Sequence, residues 1–352
     1  MDKLSLKQRL ALELNRKVKN ERRRTHPLRQ LFWECTWRCN LACRHCGSDC
    51  KSSSSLPDMP ADDFLKVIDS IRPHVDPHIL NIIITGGEPL VRKDLEYVGR
   101  ELYKREFPWG IVTNGMLLTK ERLESLRRAG LHNITVSLDG LEENHNWMRG
   151  HKLSFQRAYE AIKMLAEVPD LNFDVVTCVN RRSLPELDAI KQLLIEAGVK
   201  RWRLFTIFPS GRAAQYPEFE LTKEETEQLM RFIVDTRKEG LIKPSFCCEG
   251  FMGSYEGKVR DYFFDCQAGV TVASVLLDGS IGACVSIRAD YKQGNIYEDD
   301  FWDVWQNRFQ IYRDREWMKT GVCADCKVWR YCEGNGMHLR DSEGHLMHCH
   351  LM

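Results

Sequence analysis

Cys39, Cys43 and Cys46 stand in the run Cys39-Asn40-Leu41-Ala42-Cys43-Arg44-His45-Cys46, just after an apolar segment ending at Thr36. Three thiolates this close can wrap one face of a small metal cluster, but they cannot supply four ligands. A cubane iron–sulfur cluster takes four, so a three-cysteine set leaves one iron open to bind and activate another molecule. Tetrahedral structural zinc usually takes four protein ligands in paired spacings, and this run fits it poorly. Three buried loop cysteines without a metal are the plain alternative.

Further groups with chemical capacity follow. Thr85-Gly86-Gly87-Glu88-Pro89 offers two glycines that let the backbone approach a ligand closely, and a carboxylate that can support an ammonium. Asn114, Ser137, Asp139 and Asn180 are short polar residues at the ends of strand-like runs, where the alternative is ordinary turn and cap chemistry. Arg149, expected in a loop, can grip a carboxylate in bidentate fashion. Cys178 shares strand parity with Asn180, so its thiol faces the same side and could give a hydrogen atom to a substrate radical; the bland reading is a small buried residue. Near the carboxyl end come Cys266, Cys284, Cys323, Cys326, Cys332 and Cys349, with Cys247 and Cys248 upstream. His338, His345, His348 and His350 lie among them and read first as loop histidines.

These groups need a scaffold. Leu31–Thr36, Ile79–Thr85, Trp109–Thr113, Asn133–Leu138, Asn172–Asn180 and Arg201–Ile207 read as strands, each a short apolar run closing on turn residues. Amphipathic stretches Asp62–Val75, Asp94–Glu106, Thr119–Ala129, Phe155–Val168 and Leu184–Ala197 lie between them. The alternation predicts an α/β fold with a parallel sheet and outer helices. Six units are too few for a closed eight-stranded barrel, so an open, partial (β/α)6 barrel is expected, with its chemistry at the carboxyl ends of the strands. The domain expectation is a basic helical extension at 1–29, the barrel at 30–221, a bridging helix at 222–240 and a cysteine-rich module at 241–352. Val272–Leu277 and Ser280–Val285 flank an Asp-Gly turn and read as a hairpin in that module. In the extension, Leu4, Leu6, Leu10, Leu14 and Val18 form an apolar stripe. The stripe is expected to pack on the main domain, or else to dock an acidic peptide or an anionic membrane surface.

The C-x3-C-x2-C run resembles the signature of the radical S-adenosylmethionine (radical SAM) enzymes, whose fold is the partial barrel. The resemblance implies a [4Fe–4S] cluster on Cys39, Cys43 and Cys46 whose open iron chelates S-adenosylmethionine (AdoMet), which is cleaved to methionine and a 5′-deoxyadenosyl radical. It implies that Gly86, Gly87 and Glu88 hold the AdoMet amino group, and that Ser137 and Arg149 bind its carboxylate with Asp139 beside them. Asn114 joins this cofactor set, and Asn180 and Pro209–Arg212 are expected near ribose or adenine. His45 departs from an aromatic residue common at that position. The later spacings, Cys266-x12-Gly279-x4-Cys284 and Cys323-x2-Cys326-x5-Cys332 with Cys349, resemble the SPASM domain, which binds auxiliary [4Fe–4S] clusters. Gly336 stands where that pattern has a cysteine. The resemblance thus implies one full ligand set, Cys323, Cys326, Cys332 and Cys349, and a partial one, Cys266 and Cys284. Cys248 or Cys247 is a candidate third ligand for the partial set.

The chain has 352 residues, is 43% hydrophobic and carries a net charge of +1, enough for a large core and without the basic footprint of a nucleic-acid binder. No apolar run is long enough for a transmembrane segment and no signal peptide is recognised. Fourteen cysteines then point to metal ligation in a reducing cytoplasm rather than to disulfides. The expected activity is radical oxidative modification of a peptide or protein substrate (crosslink, epimerisation or a related change). The expected substrate is a small precursor or lipoprotein, and a flavodoxin or ferredoxin supplies electrons. Two other readings are carried. One is a sulfatase-maturating, formylglycine-forming enzyme, against which Val285 stands where an acidic base is expected. The other is a non-catalytic iron–sulfur carrier or metal scaffold, which leaves Gly86, Ser137 and Arg149 unexplained.

Overall fold

The computed structural model describes residues 4–247 and 249–352. One ten-stranded sheet organises the molecule: β1 (Gln30–Glu34), β2 (Asn81–Thr85), β3 (Trp109–Thr113), β4 (Leu131–Ser137), β5 (Asn172–Val179), β6 (Arg201–Thr206), β7 (Lys243–Phe246), β8 (Val272–Val275), β9 (Ser280–Gly282) and β10 (Gly294–Asn295). Strands β1 to β7 lie side by side in chain order and pair in parallel, which makes the partial barrel. On the other flank β8 pairs in parallel with β1, and β9 and β10 follow antiparallel. The cysteine-rich module therefore continues the sheet of the barrel.

The helices are α1 (Leu6–Thr25), α2 (Ala61–Ile71), α3 (Leu95–Lys104), α4 (Lys120–Arg128), α5 (Glu142–Arg149), α6 (Ser154–Ala166), α7 (Leu187–Glu196), α8 (Lys223–Glu239) and α9 (Phe301–Asn307). Side-chain caps fix several starts: the Thr119 hydroxyl accepts from the Arg122 amide, and Thr222 with Glu225 forms a capping box. Helix α2 turns Phe64, Leu65, Ile68 and Ile71 inward, and Phe64 stacks on Trp33 of β1 at 4.5 Å between ring centres. Such burial, at about 1.5–3 kcal/mol per large side chain, locks helix to sheet. Helix α5 was not foreseen. Glu142 and Glu143 in its first turn and Gly150 beyond its end are helix signals in a segment expected to be a loop.

The inner face of the barrel carries a polar network toward the amino ends of its strands. The Thr135 hydroxyl donates to Asp174 (2.7 Å) and accepts from Arg203 (2.8 Å), and Arg203 also pairs with Asp174. These residues line a cavity of about 780 Å³ at the amino ends of the strands. No helix is long and apolar enough to cross a membrane among the described residues.

The N-terminal extension corrects one expectation. Helix α1 does pack on the molecule, but with the side that carries Leu12, Lys19 and Arg23 rather than with the stripe. Lys19 is buried and donates to the Tyr331 carbonyl (2.9 Å) beside Glu333 (2.7 Å), and Arg23 grips Glu333 with both ends of its guanidinium. Gln8 donates to the Ser254 carbonyl, and Tyr331 donates to Glu13. Of the stripe residues, Leu4 packs against the core, whereas Leu6, Leu10, Leu14 and Val18 face outward.

Candidate active site

The loop after β1 carries Cys39, Cys43 and Cys46 over the carboxyl ends of the strands. The Cys35 amide donates to the Thr85 carbonyl, the Gly87 amide to Thr36 (2.6 Å) and the Glu88 amide to Arg38 (3.0 Å). The loop backbone thus lies directly on the Gly-Gly turn. A β-carbon at position 86 would sit 2.2 Å from the Thr36 oxygen, and one at 87 would sit 2.2 Å from the Arg38 oxygen. The glycines are therefore required by the chain's own cluster loop, a reason the sequence did not show.

Glu88 is buried and fully engaged. It accepts from the Thr113 hydroxyl (2.8 Å), the Asn114 amide (2.8 Å) and the Leu90 amide (3.1 Å). Burial pushes its pKa up, against these hydrogen bonds. It thereby sets Asn114, whose side chain donates to Asn40 (2.8 Å) and toward the Cys39 sulfur (3.9 Å).

Across the barrel mouth, Arg149 at the end of α5 donates to Asp139 (2.6 Å) and toward the Cys43 sulfur (3.7 Å). The other Asp139 oxygen accepts the Cys178 amide (2.9 Å), and the Asp139 amide donates to His145 (3.0 Å). Burial alone would raise the Asp139 pKa, but the charge of Arg149 beside it holds it down at about 2. Burial drives His145 down to about 3 and His45 to about 4, so both imidazoles are neutral. His45 lies 3.6 Å from Asp139, and with Cys178 these form a compact trio above the strand ends. Burial raises the Cys178 thiol well above its ordinary value, so the S–H stays intact. Ser137 is buried at the end of β4.

Two expected cofactor neighbours do structural work. The Asn180 side chain accepts from the Arg182 amide (2.9 Å), capping the turn after β5. Arg212 staples the cluster loop: it donates to the Cys43 and Cys50 carbonyls (2.7 and 2.8 Å) and to Asp49.

The three cluster-loop sulfurs fit a metal cluster. Burial pushes Cys39 up to about 12, with Cys43 and Cys46 adding to the rise, and Cys43 is raised likewise. Desolvated, mutually repelling thiolates are what bound iron would relieve. Cys46 differs, because a hydrogen bond from Cys50 pulls it down.

The C-terminal sulfurs lie near enough to perturb one another. Burial raises Cys332, with Cys349 and Cys323 contributing, and raises Cys349, with Cys323 and Cys326 contributing. Arg340 donates toward the Cys323 sulfur (3.6 Å). The partial set places Cys284 beside Cys266. Cys248, a candidate for that set, lies outside the described residues. At Gly336 a β-carbon would fall 2.6 Å from the His338 ring and 3.0 Å from the Glu249 carbonyl, so His338 fills the space a side chain there would take. Burial holds His338 near pKa 4, a neutral imidazole able to ligate. Glu249, missed by sequence reasoning, accepts the Thr206 amide (2.8 Å), and His350 lies 3.7 Å from it.

Family comparison agrees with this layout. Residues 33–194 match the model of the radical SAM superfamily, and residues 266–327 match that of the SPASM iron–sulfur cluster-binding domain. The matched segments thus follow the order of a radical SAM domain and then a SPASM domain. The chain's radical SAM–SPASM fold is shared with a solved structure of anSMEcpe with bound AdoMet (TM-score 0.68, 18% identity, 90% of this chain and 91% of that one). SuiB of Streptococcus suis bound to S-adenosylmethionine shares it too (TM-score 0.69, 19% identity, 88% and 73%). By sequence, the chain is 29% identical over 328 residues to the AdoMet-dependent heme synthase of Methanosarcina barkeri (88% of this chain, 91% of the relative). It is 28% identical over 313 residues to the mycofactocin maturase MftC of Mycolicibacterium smegmatis (87% and 77%).

Between the radical SAM cluster loop and the SPASM module runs a groove. A cavity of about 220 Å³ is bounded by Glu34, Gly47, Gly86, Phe208, Val285 and Arg288. A second, of about 520 Å³, shares Glu34, Gly47 and Arg288 and continues past Asp49, Asp278, Asp290 and Lys292. Arg288 pairs with Glu34 (2.9 Å) and Lys292 with Asp278 (2.7 Å).

Proposed function

We propose that this protein is a radical SAM/SPASM maturase that modifies a peptide or protein side chain oxidatively. Cys39, Cys43 and Cys46 would hold the AdoMet cluster. Asn114 and the Gly86–Glu88 turn would flank the amino group of AdoMet, and Arg149 with Ser137 its carboxylate. Bound there, the cluster and AdoMet would supply radical hydrogen-abstraction chemistry to a substrate held in the groove. Cys323, Cys326, Cys332 and Cys349 would hold an auxiliary cluster, and Cys266 and Cys284 part of another.

The observation that carries the substrate class is the charge of the groove. Glu34 pairs with Arg288, Asp278 with Lys292 and Asp49 with Arg212, so the wall carries little net charge and its cations are already held by carboxylates. Such a wall suits a polypeptide of little net charge and offers a carboxylate-bearing ligand no unpaired Arg288 or Lys292 to grip. MftC, named as a maturase, favours the same reading. Val285 at the groove mouth speaks against the formylglycine-forming alternative, since it supplies no acid–base group there.

A second reading has its own support: similarity to the heme synthase spans 91% of that relative. Haem carries propionate carboxylates, and Arg288 and Lys292 of the groove are already paired. Anaerobic coexpression with the small proteins encoded beside this gene, followed by mass spectrometry, tests the proposal. A mass change on one of them, with 5′-deoxyadenosine formed, is expected. Conversion of an iron porphyrin with no peptide modified would overturn it.

A further inference from the structure

Leu6, Leu10, Leu14 and Val18 are 75%, 60%, 66% and 46% exposed, a continuous apolar ridge on α1. A surface helix normally turns such a ridge to the core, and contiguous exposed apolar surface marks an interaction site. This helix is not loosely attached in a wrong orientation. Its opposite face is anchored by buried Lys19, the Arg23–Glu333 pair, Gln8 and buried Leu12, so the ridge is held outward. Its start is fixed by a capping box of Ser5 and Gln8.

Charge sets the class of partner. The exposed side of α1 also carries Lys7, Arg9, Lys17 and Arg24, against Glu21 as the one exposed acid in the helix, while Arg22 turns to Asp265. Glu21 is paired with Arg24, leaving the balance strongly positive. Leucines flanked by lysine and arginine on a helix lying flat are the composition that seats in the headgroup–acyl boundary of anionic bilayers. Shape separates this from a peptide dock. Peptides dock in grooves, whereas a twenty-residue helix, about 30 Å long, presents a convex ridge that a bilayer can accommodate.

We propose that α1 is a peripheral membrane-docking helix that seats Leu6, Leu10, Leu14 and Val18 among the acyl chains of an anionic membrane, with Lys7, Arg9 and Lys17 at its phosphates. This attaches the protein to a surface without spanning it, and brings the catalytic groove to substrates held there. The attachment is independent of which substrate the groove takes.

The test is cosedimentation of the full-length, cluster-loaded protein with vesicles of phosphatidylcholine alone and of phosphatidylcholine mixed with phosphatidylserine. Expected is binding to the mixed vesicles at least about tenfold above the neutral ones, weakened by salt. Leu10→Glu/Leu14→Glu should abolish it while iron content and circular dichroism stay unchanged, since both side chains point away from the fold. Equal binding to both vesicle types, or undiminished binding by the double variant, overturns the proposal. So does a wild-type protein that ignores vesicles and uses the ridge to dimerise or to bind polyglutamate.

Discussion

Gly87→Ala separates two explanations of the Gly-Gly turn. If the glycines only make room for AdoMet, the variant should lose cofactor affinity and keep its stability. The structure says otherwise. The new β-carbon would lie 2.2 Å from the Arg38 carbonyl oxygen, and real β-carbons essentially never come closer than 3.0 Å, so 3.0 − 2.2 = 0.8 Å of movement is forced. That movement falls on a loop tied to the turn by the Gly87–Thr36 and Glu88–Arg38 hydrogen bonds, with Cys39 the next residue. Overpacking of this kind costs about 1–3 kcal/mol. At about 2.1 cal/mol/K per residue, a chain of 352 residues would lose about 1–4 °C in melting temperature. The assay is thermal unfolding of the iron-free protein, with iron retention after reconstitution and gel filtration measured in parallel. Expected are a lower Tm without any ligand and an incompletely loaded AdoMet-cluster site. A Tm equal to wild type, with only AdoMet binding weakened, would refute the reasoning.

Three further outcomes follow from the geometry. Burial pushes Glu333 up, but the Arg23 hydrogen bond and the charges of Lys19 and Arg23 bring it down to about 2. Its stabilisation is thus complete above its ordinary pKa of about 4.5 and is lost as pH falls through the folded value. Glu333→Gln should be destabilised by about 3 kcal/mol in urea at neutral pH, with the gap closing as pH drops from about 4.5 toward 2; a gap independent of pH would exclude that link. If His338 fills the ligand place left by Gly336, His338→Ala should lose iron and alter the spin-resonance spectrum of the reduced auxiliary centre, and Gly336→Cys/His338→Ala should regain the iron. Unchanged iron and spectrum in the single variant would remove His338. Cys178→Ala should keep 5′-deoxyadenosine formation, because Asp139 holds the backbone amide of that residue and not its thiol; solvent deuterium should enter the product of wild type and not of the variant, and entry in both would discard the thiol as hydrogen donor.

Much of this protein was written in local pattern. The spacing of Cys39, Cys43 and Cys46 marks a candidate three-ligand cluster site, because ligand count follows from the residues present. Six of the parallel strands were legible because apolar runs ending in turn residues have a short period, and Trp109–Thr113 matches its expected bounds residue for residue. What sequence hid depends on contacts between distant segments. Helix α5 carries Arg149 to Asp139 and Cys43; the Gly86-Gly87 turn is shaped by residues some fifty positions earlier; Arg212 staples a loop from the far end of the barrel. The amphipathic pattern of α1 fixed that a helix forms but not which side faces inward. Periodicity records only that two faces differ, and the ion pairs of Lys19 and Arg23 with Glu333, more than three hundred residues away, turned the leucines to solvent.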